Sequence, residues 1–406
     1  MSRRILARVQ SRLSRLIYPN ASFPGVMKRA GLAELPLHPG RCPPWLFAEM
    51  KRLGGAIVKL IVQEHGRREF LRRISDPFFF QAFGCTLGFD WHSSGLTTTV
   101  CGALKEAIVP HEFGIAVYGG KGQASRRTQD ELQDVAAVFS LSSHRVESLK
   151  YASKMAAKVD SSCVQDGYQL YHHTFIVSED GEWAVVQQGM QGRLARRYHW
   201  LSDNVASFVE EPHSGIASDR LGQSVLDMTA HESEESRKAS LGLVRDSPNS
   251  LSSLIRGAGQ ASIDQYLPGH QGALMLVMPT QHSITRLSET TVEALRRAYE
   301  FQPESYEELV ALRGIGPKAI RALALVSELV YGRAPSWKDP ARYSFAHGGK
   351  DGIPYPVDRR TYHKTIEIIE NATQKASVGE NEKTKAIKRL QSLLSAEHAR
   401  DSKRIV

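Results

Sequence analysis

The pattern of hydrophobic and polar positions predicts strands in the middle of the chain and helices on both sides of them. Two segments rich in β-branched and aromatic residues, Tyr168–Val177 and Glu182–Gln188, flank the short polar sequence Ser178–Gly181. The Asp-Gly pair in this sequence favours a tight turn, so the two segments predict a β-hairpin. A third apolar segment, Phe113–Tyr118, predicts a strand that ends at the following pair of glycines.

Apolar residues recur at helical spacing before and after this region. The pattern predicts a helix at Trp45–Leu53, a second helix that runs through Gly55–Glu64 and Arg67–Ile74, and a largely helical segment from Ser288 onward. These elements predict an α+β N-terminal domain followed by a mainly α C-terminal domain.

Changes in composition predict the domain boundaries. Residues 232–262 are rich in serine and weakly periodic, which favours a linker. Residues 376–406 are rich in lysine and glutamate, with Ile387 and Leu390 on one helical face. The chain is thus predicted to comprise a basic arm (1–26), an α+β domain (27–231), a linker and connecting segment (232–284), a helical domain (285–375) and a charged C-terminal helix (376–406).

The N-terminal arm contains five arginines and no acidic residue. Three interpretations are open: a basic amphipathic arm that need not be ordered, a targeting presequence, or sequence upstream of a start at Met27. The apolar region of a secretory signal is missing. The arm is therefore assigned no function.

The overall composition excludes a disordered protein and a membrane-spanning protein. Of the 406 residues, 41% are hydrophobic and 23% charged, which excludes global disorder. No apolar run is long enough for a membrane span. The formal net charge of +9 favours a polyanionic partner without establishing one. The four cysteines form no CxxC pair, so reduced thiols in a cytoplasmic protein are expected.

The strongest local signal is a pair of short helices joined by a glycine-rich turn, within residues 303–325. Ser305 can cap the first helix, Gly314 and Gly316 permit a tight turn, and Pro317 suits the first position of the second helix. The pattern resembles the helix-hairpin-helix motif, in which the turn and the second helix present backbone N–H groups to a phosphate.

This resemblance implies binding to the DNA backbone rather than to base edges. The implied DNA-binding residues are those of the turn and the cations beside it. They are Arg313, Gly314, Ile315, Gly316, Lys318 and Arg321.

The same region is similar to the helix-hairpin-helix DNA glycosylases and AP lyases. Lys318 holds the position of their catalytic lysine, and Asp358 in Pro356-Val-Asp358 matches their catalytic aspartate. The resemblance implies that the lysine attacks the sugar and that the aspartate assists it. The two residues are separated by 40 positions, more than in the family's standard form, so a phosphate-contacting Lys318 and a helix-capping Asp358 are alternative interpretations.

Residues 27 to 375 as a whole resemble a prokaryotic family described only as a domain of unknown function, number seven-six-three of that series. The strings that carry this resemblance are Lys28–His38, Asp90–Gly95, Tyr171–Thr174, Trp183–Met190 and Ala195–Trp200. The resemblance implies no established activity.

The first domain also contains polar residues that could form a nuclease site with Mn²⁺ or Mg²⁺, although no metal ligand set is assigned. The candidate ligands under that interpretation are Asp90, His92, His111, Asp166, His172, Glu211 and His213. Because His172 and His173 are adjacent on a strand, they are expected to face opposite sides of the sheet. Ordinary structural histidines are the alternative interpretation.

Two basic segments in the first domain are further candidates for DNA binding. Lys121, Arg126 and Arg127 belong to a glycine-rich loop without P-loop spacing, which suits either a backbone contact or a solvated turn. Arg196 and Arg197 are followed by Tyr198 and Trp200, a mixture suited to single strands or flipped bases.

Together these observations predict a DNA-processing protein, with DNA repair by a glycosylase or AP lyase as the leading function. A metal-dependent single-strand nuclease with its site in the first domain is one alternative. A non-catalytic nucleic-acid-binding protein is the other. The expected partner is DNA, single-stranded or damaged, and no membrane.

Overall fold

The computed structural model describes residues 42–89, 95–192, 194–218, 221–246, 288–342, 368–369 and 371–390. These residues form a mixed helical and β structure in which helices cover both faces of a five-stranded antiparallel sheet. The predicted combination of strands and helices is thus confirmed. No helix in these ranges is long and apolar enough to cross a membrane.

The sheet has the strand order β1-β3-β4-β5-β6, and a separate two-stranded ladder pairs β2 with β7. The strands are β1 Ile115–Lys121, β2 Val164–Gln165, β3 Gln169–Ser178, β4 Trp183–Gln191, β5 Leu194–Leu201, β6 His213–Ser218 and β7 Leu226–Asp227. The predicted hairpin is confirmed as β3 and β4. Gly181 adopts a φ of 79° in the connecting turn, a conformation that favours glycine.

Strand β1 differs from the prediction because it continues through Gly119 and Gly120 to Lys121. The reason is the close approach of β3. A Cβ atom on Gly119 would overlap with the carbonyl oxygen of His173, and Gly119 has a φ of 85°. The glycine therefore allows the strands to pair where a side chain would separate them.

One face of the sheet packs against the N-terminal helices. They are α1 Pro44–His65, α2 Arg67–Ile74, α3 Pro77–Thr86 and α4 Gly95–Ala107. The first predicted helix and the start of the second form the single helix α1, because Gly54 and Gly55 lie inside it; a Cβ on Gly55 would lie 3.3 Å from that of Ala107 in α4. The second predicted helix is interrupted at Gly66, which has a φ of 86° and separates α1 from α2. Ile369 and Leu390, far along the chain, join the same buried cluster.

The other face of the sheet packs against the long helix α9 and four later helices. The remaining helices in chain order are α5 Pro110–Phe113, α6 Gln123–Arg126, α7 Thr128–Glu131, α8 Val135–Phe139, α9 Ser143–Ser162, α10 Glu234–Asp246, α11 Glu289–Phe301, α12 Tyr306–Ala311 and α13 Pro317–Tyr331. Phe175 and Trp200 of the sheet, Met155 of α9 and Ile320 of α13 belong to one buried cluster. Residues on both sides of the predicted domain boundary therefore share a core.

Helix α10 lies in the segment whose composition predicted a linker. Its serines are packing residues: Ser236 and Ser240 are buried, and the Ser240 hydroxyl lies 3.3 Å from that of Ser327 in α13. Small side chains allow two helices to approach closely. The same serines that suggest a linker by composition thus form a helix–helix contact.

Candidate functional site

The turn between α12 and α13, residues 312–316, has the local features that the sequence predicts. The Ser305 hydroxyl accepts a hydrogen bond from the N–H of Glu308 and caps α12, and Pro317 occupies the first turn of α13. Gly314 has a φ of 94°, and a Cβ there would lie 2.9 Å from that of Ala294. Glycine is therefore required at this position for both conformation and space.

One side of the turn is buried in the core and the other side is exposed to solvent. Ile315 is fully buried, whereas Arg313, Gly314, Pro317 and Lys318 are exposed. The isoleucine thus holds the backbone against the core while its neighbours face solvent.

The N-terminus of α13 lies at this exposed turn. Gly316 precedes the helix in an extended conformation, and no side chain caps it. The first intrahelical bond runs from the N–H of Ile320 to the carbonyl of Gly316, 3.0 Å away. The N–H groups of Lys318 and Ala319 precede that bond, and they carry the partial positive charge of a helix N-terminus.

Several cations surround the turn. Arg313 and Lys318 are exposed on it, and the guanidinium of Arg297 lies 3.0 Å from where a Cβ on Gly314 would be. The Lys158 ammonium of α9 donates to the carbonyl of Leu312 at 3.0 Å. Burial, and to a lesser extent Lys154, lower the pKa of Lys158. A lysine with a lowered pKa therefore lies directly beside the turn.

Arg321 lies behind the turn. Its Nε donates to the Gln165 amide oxygen at 2.7 Å, and the Gln165 amide nitrogen donates to the carbonyl of Pro317 at 2.8 Å. Arg321 is half-buried, and burial lowers its pKa. In this position its guanidinium supports the turn from the side of the core.

Of the two predicted catalytic residues, Lys318 is exposed at the second position of α13. Asp358 lies outside the described residues. The pairing of the two therefore stays a prediction.

The positions of Arg196 and Arg197 contradict the prediction that both contact DNA. Both side chains are buried, with exposures of 1% and 0%, and they point to opposite faces of β5. Arg196 forms ion pairs with Asp166 at 2.9 Å and Asp339 at 2.6 Å. Arg197 donates to Thr97 and Gln81 and lies over the ring of Phe80. The prediction that these arginines form a surface for single strands is wrong, because β5 is a central strand covered on both faces.

The three cations at the end of β1 and just after it are exposed to solvent. Lys121, Arg126 and Arg127 are exposed, and the Lys121 ammonium lies 5.8 Å from the ring centroid of Tyr171. These side chains are therefore accessible for contact with a DNA backbone.

The candidate metal ligands do not converge within the parts of the chain that the structure describes. Asp166 is paired with Arg196, His172 is buried beside Thr174, and His213 bonds Asp160 at 2.5 Å. His111 and Glu211 are exposed elsewhere. Asp90 and His92 lie outside the described residues. No group of three or more metal-binding side chains occurs in those parts.

A cavity that the sequence did not reveal lies next to the turn. It has a volume of about 370 Å³, and Lys158 lines it while also contacting Leu312. Ser153, His173 and Gln187 form part of its wall, and Arg126 and Lys154 are further lining residues. The cavity and the turn are therefore adjacent parts of one surface.

A hydrogen-bonded chain of four side chains runs from this cavity into the core. The Ser153 hydroxyl lies 2.9 Å from Nε2 of His173, and Nδ1 of His173 lies 2.8 Å from the Gln187 amide oxygen. The Gln187 amide nitrogen donates to the buried carboxylate of Asp160. Burial lowers the pKa of His173, and the Gln187 hydrogen bond and the Asp160 charge oppose this only in part.

The sequence contained a signal for these four hydrogen-bonded side chains. Ser153 and Asp160 are seven residues apart on α9 and so share a helix face. His173 and Gln187 are direct partners across the hairpin, so they share a sheet face. His173 bonds to α9 and His172 to Thr174, as expected for opposite faces. Only the packing of α9 on the sheet, which the sequence does not specify, brings the two pairs together.

Comparison with known proteins identifies the family of this chain. No curated protein and no solved structure shows significant similarity to it. Residues 31–357 match the family described as "Protein of unknown function (DUF763)". Since this match spans well over half of the sequence, the chain belongs to that family.

Proposed function

We propose that this protein binds the backbone of DNA through the exposed turn at residues 312–316 and the start of α13, and that it acts in DNA processing in the cytoplasm. In this proposal α12, the turn and α13 form a helix-hairpin-helix. The observation that carries it is an uncapped helix N-terminus at a glycine turn with cations around it. Backbone N–H groups in that arrangement bind phosphate without reading bases.

The proposed surface extends from the turn to the cavity. Lys158 connects the two because it contacts Leu312 and lines the cavity. Lys154 and Arg126 line the same cavity, and Arg127 and Lys121, close to Arg126 in the sequence, are exposed. We refer to Arg313, Lys318, Lys158, Lys154 and Arg126 as the basic path. Successive cations along one path suit successive phosphates of one strand.

The binding proposal is tested with the double variant Arg313→Ala, Lys318→Ala. We expect affinity for DNA to fall roughly tenfold, and the slope of log K against log salt to decrease by about 2, because two phosphate contacts are lost. Fluorescence anisotropy with single- and double-stranded DNA at several salt concentrations measures both quantities.

The matched control removes the same amount of charge elsewhere. Lys51 and Lys59 lie on α1, in the opposite helical layer, where they pair with Glu106 and Glu112. The double variant Lys51→Ala, Lys59→Ala should bind DNA like the wild-type protein. Equal losses in both double variants, or salt-independent binding by the wild type, would contradict the proposal.

A glycosylase or AP-lyase activity is the second candidate function. The observation that favours it is the accessibility of Lys318 beside the turn. An uncharged amine can attack C1′ of an abasic sugar and form a Schiff base.

Borohydride trapping on abasic-site DNA tests this candidate and assigns the nucleophile. We expect a trapped complex that is lost in Lys318→Ala and that is weaker but still formed in Lys158→Ala and in Asp358→Asn. Trapping that is instead lost only in Lys158→Ala would move the nucleophile to α9. Trapping that survives in both lysine variants would refute both assignments. Strand cleavage that needs Mn²⁺ or Mg²⁺ and stops in EDTA would favour the nuclease alternative.

A further inference from the structure

The hydroxyl of Ser153 and the imidazole of His173 have the geometry of a nucleophile and its base. The Oγ–Nε2 distance of 2.9 Å is within hydrogen-bond reach. Both side chains are almost completely buried, with exposures of 1% and 6%, yet both line the cavity. A reacting group that enters the cavity can therefore reach them.

The hydrogen bonds behind His173 determine which of its nitrogens carries the proton. The indole N–H of Trp200 can only donate, and it donates to Oδ2 of Asp160 at 3.0 Å. The Gln187 amide nitrogen donates to the same oxygen, which leaves the Gln187 amide oxygen facing Nδ1 of His173. Nδ1 must then be the protonated nitrogen.

With its proton on Nδ1, His173 presents a lone pair on Nε2 to Ser153. The Ser153 hydroxyl consequently donates to Nε2, which is the direction of proton transfer that activates a serine. Because burial lowers the pKa of His173, its imidazole is uncharged before the reaction, and the Gln187 hydrogen bond and the Asp160 charge favour the protonated ring that forms when it takes the proton.

The positive charge of the residues that line the cavity favours binding of an anion. Arg126 and Lys154 are exposed there and Lys158 is half-buried, and no acidic residue is found among the described residues that line the cavity. Cations around a developing negative charge stabilise the transition state of phosphoryl transfer. A phosphoester therefore fits this cavity better than an uncharged ester.

We infer that Ser153 and His173 form a catalytic pair that hydrolyses a phosphodiester held in this cavity. Gln187 and Asp160 act as positioning residues. The identification of the natural substrate as a nucleic acid rests on the proposed function. The chemistry of the Ser153–His173 pair is independent of the proposed function.

The reaction has two balanced steps. In the first, Ser153 Oγ forms a bond to phosphorus, its proton moves to His173 Nε2, and the bond from phosphorus to the leaving oxygen breaks as that oxygen takes the proton. In the second, water attacks the phosphoseryl group, its proton passes through His173 to Ser153 Oγ, and the serine is regenerated. The products are a phosphomonoester and an alcohol.

A fluorophosphonate probe tests the activated serine directly and without DNA. Ser153 Oγ should form a bond to phosphorus and displace fluoride, and peptide mass spectrometry should find the adduct on Ser153 in the wild-type protein. Because the probe does not depend on the turn, this result is independent of the outcome of DNA binding. Labelling of other serines as fast as Ser153, or no labelling of Ser153, would overturn the inference.

Variants separate a catalytic role from a structural one. Ser153→Ala removes a single oxygen and should abolish both the adduct and hydrolysis of bis(p-nitrophenyl) phosphate. His173→Asn should slow labelling at least about 100-fold, the usual contribution of a general base. Ser161→Ala is the matched control, since Ser161 lines the same cavity on the same helix but bonds only the carbonyl of Lys158.

The positioning role of Asp160 is tested by Asp160→Asn. An asparagine amide at this place would allow Gln187 to turn and present its N–H₂ to Nδ1, which moves the His173 proton to Nε2. We expect labelling to slow roughly tenfold, with NMR showing the changed imidazole tautomer in a protein that still unfolds cooperatively. Unchanged labelling together with an unchanged tautomer would remove Asp160 and Gln187 from the mechanism. Unchanged hydrolysis in Ser153→Ala would overturn the whole inference.

Discussion

Replacement of Arg196 by alanine is expected to lower the free energy of unfolding by about 3–5 kcal/mol, the cost of leaving a buried charge without its partner. The Arg196 side chain is 1% exposed, and its partners Asp166 and Asp339 are 1% and 3% exposed. The guanidinium also lies 4.7 Å from the ring centroid of Tyr168. Since Asp339 follows α13, the substitution would in addition remove the ion pair between the C-terminal segment and β5.

Denaturant unfolding measures this loss, with Arg296→Ala as the matched control. Arg296 is an exposed arginine paired with Glu293 at 3.0 Å, so its replacement should cost less than about 1 kcal/mol. The triple variant Arg196→Met, Asp166→Asn, Asp339→Asn should recover much of the stability, because no charge is then left buried alone. A loss below about 1 kcal/mol for Arg196→Ala would show that the ion pairs do not hold the sheet and the C-terminal segment together.

Acidification should destabilise the protein through its buried histidines, and His172 is one of them. Burial, with smaller contributions from His173, Lys121 and Arg197, lowers the pKa of His172 from 6.5 to about 3. The unfolded chain therefore binds a proton near pH 6.5 while the folded protein does not. The stability is complete above that pH and is lost as the pH falls toward 3, by roughly 3 kcal/mol at pH 4.

The variant His172→Gln isolates this contribution. Burial raises the pKa values of Asp166 and Asp227, so these carboxyl groups change the stability in the opposite direction on acidification. The absolute pH profile thus combines several groups, whereas the difference between the two proteins reports His172. We expect the loss of unfolding free energy between about pH 7 and pH 4 to be roughly 3 kcal/mol smaller in His172→Gln. Parallel profiles would show that His172 does not hold its lowered pKa.

Prediction from the sequence succeeded where neighbouring residues alone determine the structure. The Asp-Gly turn fixed the register of the β3–β4 hairpin, and Ser305, Gly314 and Pro317 defined the ends of α12 and α13. Capping, positive φ and the missing proline N–H act within a few residues, so they leave a readable pattern.

The predictions were wrong where the same type of residue occurs both on exposed surfaces and in buried contacts. Arginines next to aromatic residues on β5 resemble a nucleic-acid surface, but Asp166 and Asp339 neutralise Arg196 from positions 30 and 143 residues away. Serines in α10 resemble a linker, but they pack against α13. Composition does not tell an exposed side chain from a buried one whose partner is distant in the chain.

The sequence by itself determined the hairpin, the glycine turn with the cations next to it, and the membership of a family that residues 31–357 represent. Only the tertiary structure decided that the later helices share a core with the sheet, and that Ser153 meets His173 beside a basic cavity. The physical reason is range: local conformation depends on adjacent residues, whereas burial and side-chain pairing depend on how α9 packs against the sheet.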